Sequence, residues 1–371
     1  MRIGYNARLL TDPALRGWNR YTVNLLEAMI GLGVEPVLYS DRPLHGDHLA
    51  RLPGAVVRVA PPMGYDRWEQ HWLPGQANRD RVSVLHSPFN FGLPWTTRAP
   101  RVLTLHDAID QAFAPNGRSR LTVRTIRERF RQWSARTRAH RIITVSDHAR
   151  GDIVRRLGLP AANVVVIAEA ADPRFLRPVP TDRREQVARR YGLRLPYLFY
   201  VGGWEARKNI PFLVEAFAGS GATCVDLVLA GGRDDERGAL ADLGQSLGLG
   251  DRLRLIGRVE DDELPALYDG ALAFVYPSRY EGFGLQLCEA MALGCPVLAS
   301  DATSLPEVLG NGGDTFPIDS PRTLSAQIRR LVSEPSYRAD LAGRALARSA
   351  AFSWSRAAEA TLAVYRDLGA S

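Results

Sequence analysis

The sequence predicts an α/β fold with two similar domains, each a doubly wound parallel sheet with helices on both faces. Short runs rich in β-branched and aromatic residues alternate with helical patterns from end to end, which is typical of parallel sheets. The length of 371 residues suits about two domains. Pro173, Pro178 and Pro180 interrupt the alternation and the pattern then restarts, so we place a hinge there.

The first domain is predicted to span residues 1–175. Apolar runs bounded by turn residues predict its strands, and segments with helical periodicity predict its helices. The strands are 2–5, 34–39, 55–60, 82–86, 101–106, 141–145 and 163–167. The helices are 18–31, 120–139 and 147–157.

The second domain is predicted to span residues 176–350 on the same grounds. Its strands are 197–202, 225–230, 252–256, 272–276 and 296–300. Its helices are 209–218, 236–247, 261–269, 285–293, 321–332 and 335–350. Residues 351–371 form a separate terminal segment, in which the amphipathic stretch 354–368 could pack on either domain.

The composition is that of a globular protein without a membrane span. Apolar residues make up 46% and charged residues 23% of the chain, and no run approaches the roughly 18 to 20 apolar residues that cross a bilayer. The N-terminus resembles a strand rather than a signal peptide, so we expect a cytoplasmic protein. The net charge of +7 points to an anionic partner, which could be nucleic acid, anionic lipid or a phosphorylated small molecule.

No metal or cofactor is expected. Cys224, Cys288 and Cys295 lack the spacing of metal ligands, and we interpret them as free buried thiols. The sequence also contains no His/Cys cluster and no Asp-x-Asp pair that would indicate a bound metal.

The stretch 280–289 combines features of a phosphate site and a sugar site. Two carboxylates, Glu281 and Glu289, stand eight residues apart with Gly282 and Gly284 between them. The glycines let a ligand approach the backbone, and the free N–H groups of 284–287 at a helix start would face an anion. The pattern predicts a nucleotide-sugar site, with one Glu for ribose hydroxyls and the other for sugar hydroxyls.

Lys208 is the only lysine among 47 basic side chains. It follows the apolar run 197–201, in a loop that begins with Gly202 and Gly203, and open α/β sheets bind ligands at such strand ends. An ammonium and a guanidinium are not interchangeable at a tight phosphate site. We therefore interpret Lys208 as a phosphate ligand, with a surface lysine retained by chance as the alternative.

The first domain offers two further candidates. Gly17 precedes a helix and could let the backbone approach a phosphate, although a plain turn fits equally well. His106 ends a predicted strand and could reach a ligand, or it could be a structural histidine bonded to Asp107. Ser146 is interpreted as a helix N-cap.

Residues 118–141 form a strongly basic segment with a single acid, Glu128. Its apolar residues recur at helical spacing, and we expect this stripe to pack in the core. A basic amphipathic helix also fits an anionic membrane surface, so attraction to lipid phosphate stays open. The stripe is Val123, Ile126, Phe130 and Trp133, and the arginines are Arg118, Arg120, Arg124, Arg127, Arg129, Arg131, Arg136, Arg138 and Arg141.

Together these stretches resemble the retaining glycosyltransferases of family 4, which have the GT-B fold of two Rossmann-like domains facing each other across a cleft. The segment 281–297 is similar to the E-x7-E region of that family, and the segment 201–209 to its donor phosphate loop. Matches at 144–146, 257–259, Ser278 and 352–354 also fit, so the resemblance covers nearly the whole chain.

The resemblance implies roles for the second domain. Lys208 and Arg207, in the loop with Gly203, would neutralise the donor diphosphate. Glu289 would bind the ribose, and Glu281 would hold the transferred sugar. The backbone of Phe283, Gly284 and Leu285 would help to hold sugar and phosphate, and Arg258 and Val259 would lie near the base.

For the first domain the resemblance implies that Gly17 approaches the phosphate and that His106 lies by the reacting carbon. The catalytic residues would be Lys208, Glu281 and His106. The last helix would cross back onto the first domain.

Three segments depart from the family pattern. Gln286 stands where many members have proline, which bears on sugar selectivity. Gly202 and Gly203 stand where some members place a phosphate-binding arginine. The segment 169–172, Glu-Ala-Ala-Asp, replaces the usual Asn-Gly-hydrophobic-Asp turn.

The implied reaction is metal-independent hexosyl transfer with retention, in glycan or polysaccharide synthesis. GDP-mannose is the leading donor because the loop 207–209 resembles mannosyltransferase branches, and UDP-glucose or another hexose donor is the alternative. The acceptor is expected to be lipid-linked or a saccharide. The membrane, reached through 118–141, is a further candidate partner.

Other classes of protein fit less well. A pyridoxal-phosphate phosphorylase on the same fold would use Lys208 as its Schiff base. A dinucleotide-dependent oxidoreductase would need Gly-x-Gly-x-x-Gly after the first strand, and residues 4–8 lack it. A nucleic-acid-binding protein would explain the charge but not the two glutamates, so we do not expect a nucleic-acid partner.

Overall fold

The computed structural model describes residues 1–13, 17–109 and 123–370. Contacts between residues divide the chain into two compact units. Unit 1 consists of Met1–Glu169 and Ser353–Ser371, and unit 2 of Ala170–Phe352. The sequence analysis places the corresponding borders at 175 and 350. Within the described ranges, no helix is long and apolar enough to cross a bilayer.

Unit 1 contains a parallel sheet of seven strands. They are β1 (Arg2–Asn6), β2 (Glu35–Ser40), β3 (Val56–Val59), β4 (Val84–Ser87), β5 (Arg101–Thr104), β6 (Arg141–Thr144) and β7 (Val164–Val166). The spatial order β3-β2-β1-β4-β5-β6-β7 reverses between β1 and β4. Ile3 of β1 and Leu85 of β4 are fully buried, because a central parallel strand is covered on both faces. All seven predicted strands are confirmed, with small shifts at their ends.

In the described part of unit 1, the helices that precede β7 are α1 (Gly17–Gly31), α2 (Gly46–Ala50), α3 (Tyr65–Arg67), α4 (Leu73–Asp80), α5 (Val123–Arg138) and α6 (Asp147–Leu157). A π-helical turn, Trp68–Trp72, joins α3 to α4, and the sequence analysis does not predict this segment. Ser146 caps α6 as predicted, because its Oγ accepts the N–H of Ala149.

Unit 2 contains a second parallel sheet, of six strands. They are β8 (Tyr197–Gly202), β9 (Asp226–Gly231), β10 (Leu253–Gly257), β11 (Ala271–Tyr276), β12 (Val297–Ser300) and β13 (Asp314–Phe316). The order β10-β9-β8-β11-β12-β13 reverses between β8 and β11. The five predicted strands are confirmed. β13 was not predicted, since three residues are too few to show a period.

The helices of unit 2 are α7 (Thr181–Arg190), α8 (Ile210–Ser220), α9 (Asp234–Ser246), α10 (Leu264–Asp269), α11 (Leu285–Ala292), α12 (Leu305–Leu309), α13 (Pro321–Ser333) and α14 (Pro335–Ser349). The six predicted helices are confirmed, whereas α7 and α12 were not predicted. Pro180, interpreted as part of a hinge, is the N-cap residue of α7.

The last helix, α15 (Trp354–Asp367), belongs to unit 1 and packs against α1. The buried hydroxyl of Tyr365 lies 3.2 Å from that of Tyr5 and 2.6 Å from Nδ1 of His86. The other ring nitrogen of His86, Nε2, lies 2.8 Å from Oγ1 of Thr104. A buried polar network therefore fastens the last helix to β1 and β4.

Two expectations about buried side chains are wrong. Cys224 is exposed, because it lies in the turn between α8 and β9, whereas Cys288 and Cys295 are buried as free thiols. Phe130 and Trp133 of α5 are 46% and 56% exposed rather than in the core. The Trp133 ring contacts the Phe130 ring, and the Phe130 ring contacts that of Trp95, in the loop after β4. Arg118 and Arg120 lie outside the described residues, as do the side chains of Val123, Arg124, Ile126, Arg127, Glu128 and Arg131.

Candidate active site

Three predicted site residues meet where the strand order of unit 2 reverses. Open parallel sheets bind ligands beyond the carboxyl ends of the strands at such a point. The loop after β8 carries Arg207 and Lys208, and the loop after β11 carries Glu281. Residues taken from two separate stretches of the sequence therefore form one cluster.

Lys208 is almost completely buried, with 5% of its surface exposed. Its Nζ donates to Oε1 of Glu281 at 2.6 Å and to the hydroxyl of Tyr276 at 2.9 Å. Burial lowers the pKa of Lys208, and the charge of Arg207 adds to this effect while Glu281 opposes it. Because burial disfavours its charged form, the ammonium of Lys208 depends on a nearby anion for its stabilisation.

Glu281 balances two cations. Its Oε1 accepts from Lys208, from the hydroxyl of Ser278 and from Nη1 of Arg207 at 3.2 Å. Burial alone would raise the pKa of Glu281, but the charges of Lys208 and Arg207 and the hydrogen bonds from Lys208 and Ser278 bring it below its usual value. The carboxylate is therefore charged at neutral pH.

Gln286, which replaces the usual proline, takes part in this cluster. Its Oε1 accepts from the hydroxyl of Tyr276 at 3.2 Å, and that hydroxyl accepts from Lys208. Burial raises the pKa of Tyr276 well above its usual value, so the hydroxyl keeps the proton that it donates. Gln286 thereby fixes the direction of the Tyr276 hydroxyl, for which a proline offers no side-chain acceptor.

The loop that carries Glu281 is supported from the segment after β12. Oγ1 of Thr303 accepts the N–H of Glu281 at 3.0 Å, and the hydroxyl of Ser304 donates to the carbonyl of Glu281 at 3.0 Å. Thr303 has a φ of +53°, a strained value for a β-branched residue. Gly284 has a φ of +98°, and a Cβ there would lie 2.7 Å from Cδ2 of Leu305, so only glycine fits.

Fewer backbone N–H groups at the start of α11 are available to an anion than the sequence predicts. The N–H of Leu287 donates to the carbonyl of Gly284 at 2.8 Å, which narrows the predicted anion contact to residues 284–286. The side chains of Phe283 and Leu285 are buried, and the Phe283 ring packs edge-on against Phe352 at 5.7 Å. Only their backbone groups could meet a ligand, as the family resemblance implies.

Glu289 lies on α11 and is 1% exposed. The hydroxyl of Tyr268 donates to its Oε2 at 3.0 Å. This carboxylate is therefore part of the packing between α10 and α11. Its predicted contact with a ribose stays a prediction.

The remaining donor-side candidates lie at the ends of two other strands. Gly203 follows β8, and the carboxylate of Glu205 occupies the place of its missing Cβ. Arg258 and Val259 follow β10, with Arg258 exposed and Val259 buried. Among the residues that the structure describes, no group of three or more His, Cys, Asp or Glu could hold a metal ion.

The two candidates of the first domain belong to unit 1. Gly17 is the exposed first residue of α1, and a Cβ there would meet open space. Nδ1 of His106 lies 3.1 Å from Oε1 of Glu169, and Nε2 lies 3.0 Å from the carbonyl oxygen of Pro88. His106 is thus bonded through both ring nitrogens, and Glu169 takes the place expected for Asp107.

Several residues that shape these sites were not predicted from the sequence. Tyr276 was assigned only to a buried strand, although a polar group at the carboxyl end of that strand was a usable signal. Glu169 was noted as a departure from the family pattern without a role. Thr303 and Ser304 carried no signal, because they act through a loop contact more than twenty residues away in sequence.

Comparison with known proteins gives matches along most of the chain. A family model described as "Glycosyl transferases group 1" matches residues 184–348, and one described as "Glycosyltransferase Family 4" matches residues 15–175. The "O-antigen chain mannosyltransferase B" of Escherichia coli is 34% identical over 295 residues, which cover 77% of this chain and 74% of that protein. The chain spans less than two thirds of the length of four other relatives.

Solved structures share the fold over the full length. The sucrose-phosphate synthase of Thermosynechococcus elongatus matches with a TM-score of 0.77, over 100% of this chain and 99% of that one, at 23% identity. The Anabaena protein HepE, in a complex with UDP-glucose, matches with a TM-score of 0.76, over 99% of this chain and 100% of that one, at 17% identity. These matches confirm the predicted class of two Rossmann-like domains with the GT-B fold.

Proposed function

The chain belongs to glycosyltransferase family 4, and from that membership we propose that it is a retaining hexosyltransferase. It would move a hexose from a nucleoside diphosphate sugar to a lipid-linked or saccharide acceptor in glycan synthesis. The assignment to this family rests on the two matching family models and on the mannosyltransferase relative. These matches confirm the resemblance found in the sequence.

The observation that carries the proposal is the cluster of Lys208, Arg207 and Glu281 at the switch point of unit 2. Two cations lie together at the place where a parallel sheet binds a ligand, and one of them is a buried ammonium. A diphosphate supplies the negative charge that such a pair favours. Glu281 would then be free to accept hydroxyl protons of the sugar, as the resemblance implies.

The proposed chemistry needs no side-chain base. The bond between the anomeric carbon and the diphosphate oxygen breaks, and the acceptor oxygen forms its bond on the same face of the sugar. The acceptor proton passes to the departing diphosphate oxygen. Lys208 and Arg207 would stabilise the negative charge that develops on that oxygen. Such electrostatic stabilisation is the largest contribution to the rate enhancement of many enzymes.

We further propose that no divalent metal takes part, because Lys208 and Arg207 would supply beside the diphosphate the positive charge that a metal would otherwise supply. The prediction is checked by assaying transfer with EDTA present. Activity that requires added magnesium or manganese would contradict it.

GDP-mannose is the favoured donor. The relative with the longest coverage among those described above is named a mannosyltransferase, and the loop around Lys208 resembles mannosyltransferase branches of the family. UDP-glucose is the alternative, and a fold relative has been solved with it.

The direct test is release of nucleoside diphosphate from GDP-mannose and from UDP-glucose, with bacterial lipid extract or oligomannose as acceptor. We expect wild-type protein to use GDP-mannose and to form a product with retained anomeric configuration. Lys208→Ala should lower turnover about 100-fold, corresponding to roughly 3 kcal/mol of lost charge stabilisation. Arg189→Ala, at a largely exposed arginine on α7, is the control that should keep full turnover.

Turnover by Lys208→Ala close to that of wild type would end the assignment of the site. If the protein prefers UDP-glucose, the proposed donor is wrong, but the proposed roles of the site residues are unaffected. Transfer with inversion would contradict the proposed mechanism.

A second proposal concerns the membrane. Trp95, Phe130 and Trp133 form an exposed aromatic surface on unit 1, with ring centroids 5.6 and 5.7 Å apart. Exposed arginines surround it, including Arg98 and Arg129. Aromatic rings among arginines suit the interface of an anionic bilayer, so we propose that this aromatic surface docks on anionic lipid and that the acceptor is lipid-linked.

A further inference from the structure

We propose that the side chains of Trp18 and Phe91 form a stacking platform for a pyranose ring, and that this ring belongs to the acceptor. The acceptor would then be recognised in unit 1 by its sugar. That the bound sugar is the acceptor rests on the proposed glycosyl transfer. Binding of the sugar does not rest on it, and can be measured without a donor.

The stacking platform lies at the switch point of unit 1. Trp18 belongs to the first turn of α1, the helix between β1 and β2, and Phe91 lies in the loop after β4. The strand order reverses between β1 and β4, and open parallel sheets bind their ligands beyond the carboxyl ends of the strands at such a point. We therefore expect a ligand of unit 1 to meet these two side chains.

Both aromatic rings keep exposed surface. Trp18 and Phe91 are half-buried, and their ring centroids lie 6.5 Å apart with the ring planes 73° to each other. The indole of Trp18 stacks on the imidazole of His106 at 5.9 Å, so the protein itself covers only part of it. The face of an aromatic ring carries partial negative charge, which attracts the polarised C–H bonds on the less polar face of a pyranose. A sugar ring therefore suits this surface.

Hydrogen bonds hold the loop that carries Phe91 in place. Oδ1 of Asn90 accepts the backbone N–H of His106 at 2.9 Å, and the carbonyl of Gly92 accepts from Nδ2 of Asn6 at 2.9 Å. Gly92 has a φ of +90°, and a Cβ there would lie 2.3 Å from Nδ2 of Asn6, so only glycine fits. A ring fixed in advance loses little conformational freedom when a ligand binds, which favours affinity.

Polar groups that can bind sugar hydroxyls lie beside the stacking platform. Asn90 precedes Phe91 in the chain and lines a small open pocket together with Asp107, Gln132 and Arg136. Amide, carboxylate and guanidinium groups supply the donors and acceptors that hydroxyl groups require. Aromatic side chains with a few polar groups near them are typical of sites for small molecules. This combination favours a saccharide over a purely apolar ligand.

The test is calorimetric titration with mannobiose, cellobiose and chitobiose in the absence of a donor. We expect wild type to bind at least one of the three disaccharides. Trp18→Leu should weaken that binding about tenfold, because the aromatic stack and its contact area are lost. Phe91→Leu should weaken it about fivefold, because the ring that is lost is smaller. Trp18→Phe should retain most of the affinity, because an aromatic face remains.

Two controls separate loss of the stacking platform from loss of the fold. Trp72→Leu changes another half-buried tryptophan of unit 1, which packs edge-on against Tyr39, and it should bind the disaccharide like wild type. Trp18→Leu and Phe91→Leu should keep the circular dichroism spectrum of wild type. If Trp18→Leu does not fold, the affinity of Phe91→Leu decides the question.

The activity readout is the acceptor KM at saturating donor. It should rise about tenfold in Trp18→Leu, while the donor KM stays at its wild-type value, because only binding of the acceptor is weakened. If no tested donor is turned over, the proposed function fails, and the titration still decides whether the stacking platform binds sugar. The proposal would be overturned if wild type binds none of the three disaccharides, or if the leucine variants bind them as tightly as wild type.

Discussion

Nζ of Lys208 lies 2.6 Å from Oε1 of Glu281, and the two side chains, 6% and 12% exposed, belong to the loops after β8 and β11. The only lysine of the chain is thus already paired with an acid in the free protein. A diphosphate that binds Lys208 would compete with Glu281 for it. This competition gives the first prediction.

Replacing Glu281 by Gln should destabilise the free protein and increase its response to GDP. The change leaves Lys208 and Arg207 without their counter-charge, and breaking a buried ion pair costs about 3 kcal/mol. A bound diphosphate restores the missing charge, so GDP should raise the melting temperature of Glu281→Gln more than that of wild type. Thermal unfolding with and without GDP measures both effects.

The control for this prediction is Glu185→Gln, since Glu185 is 52% exposed and lies outside the cluster. Glu185→Gln should have the melting temperature of wild type and the same increase in melting temperature when GDP is added. An equal GDP-induced shift in wild type and Glu281→Gln would mean that the diphosphate does not replace Glu281 as the partner of the cations.

Replacing Gln286 by Leu should weaken donor use through Tyr276. The Tyr276 hydroxyl loses its acceptor and its fixed direction toward Lys208, which costs about 1 kcal/mol and corresponds to a rise in donor KM of about fivefold. Tyr276→Phe should have a similar effect, and the double variant should be no worse than either single one. Steady-state kinetics of wild type, the two single variants and the double variant tests whether Gln286 acts through Tyr276. Fully additive effects on the donor KM would show that it does not.

The buried His86 should make unit 1 sensitive to acid. Its folded-state pKa of about 3 lies below the usual value of 6.5, so the folded protein favours the neutral ring. The stabilisation is present above about pH 6.5 and should be lost by about 1.4 kcal/mol per pH unit as the pH falls toward the folded-state pKa. Urea unfolding at a series of pH values measures the slope.

His86→Gln should flatten that slope, because it removes the titrating group and keeps polar atoms near Tyr365 and Thr104. His71→Gln, at an exposed histidine, should leave the slope as it is in wild type. If wild type and His86→Gln are equally sensitive to acid, titrating groups other than His86 cause the loss of stability.

The double substitution Phe130→Ser with Trp133→Ser should reduce binding to anionic vesicles about tenfold. On the proposed docking, the two exposed rings would bury apolar surface in the lipid interface, and nearby arginines would add electrostatic attraction. Sedimentation with phosphatidylglycerol vesicles measures the binding, and phosphatidylcholine vesicles separate the role of charge. Leu346→Ser removes an equally exposed apolar side chain from unit 2 and should bind like wild type. Vesicle binding that is unchanged in the double variant would exclude the aromatic surface as the docking site.

Most of the fold could be predicted from periodicity, because buried parallel strands are continuous apolar runs. The failures have local causes. Residues 65–80 mix Trp, His and Pro around a π-helical turn, which breaks the helical period. Pro178 and Pro180 suggested a linker, yet Pro180 directly precedes α7.

The candidate site could be predicted in part. Glu281 and Lys208 stood out because glycine-rich loops follow apolar runs, and the structure brings these two side chains together. Tyr276 ends an apolar run, but only the structure shows that its hydroxyl accepts from Lys208. The role of Glu169 could not be assigned from the sequence, since it depends on a contact with His106 across the fold. The exposure of Phe130 was also beyond prediction, because helical spacing does not reveal which surface a stripe faces.

Lys208 is proposed to bind the diphosphate of a nucleotide at the switch point of unit 2. Calorimetric titration of GDP into wild type and Lys208→Ala tests it most directly. We expect the Kd of GDP to rise about 30-fold in Lys208→Ala, as a lost charge-assisted hydrogen bond of about 2 kcal/mol requires. Equal GDP affinity in the two proteins would mean that Lys208 does not bind the diphosphate.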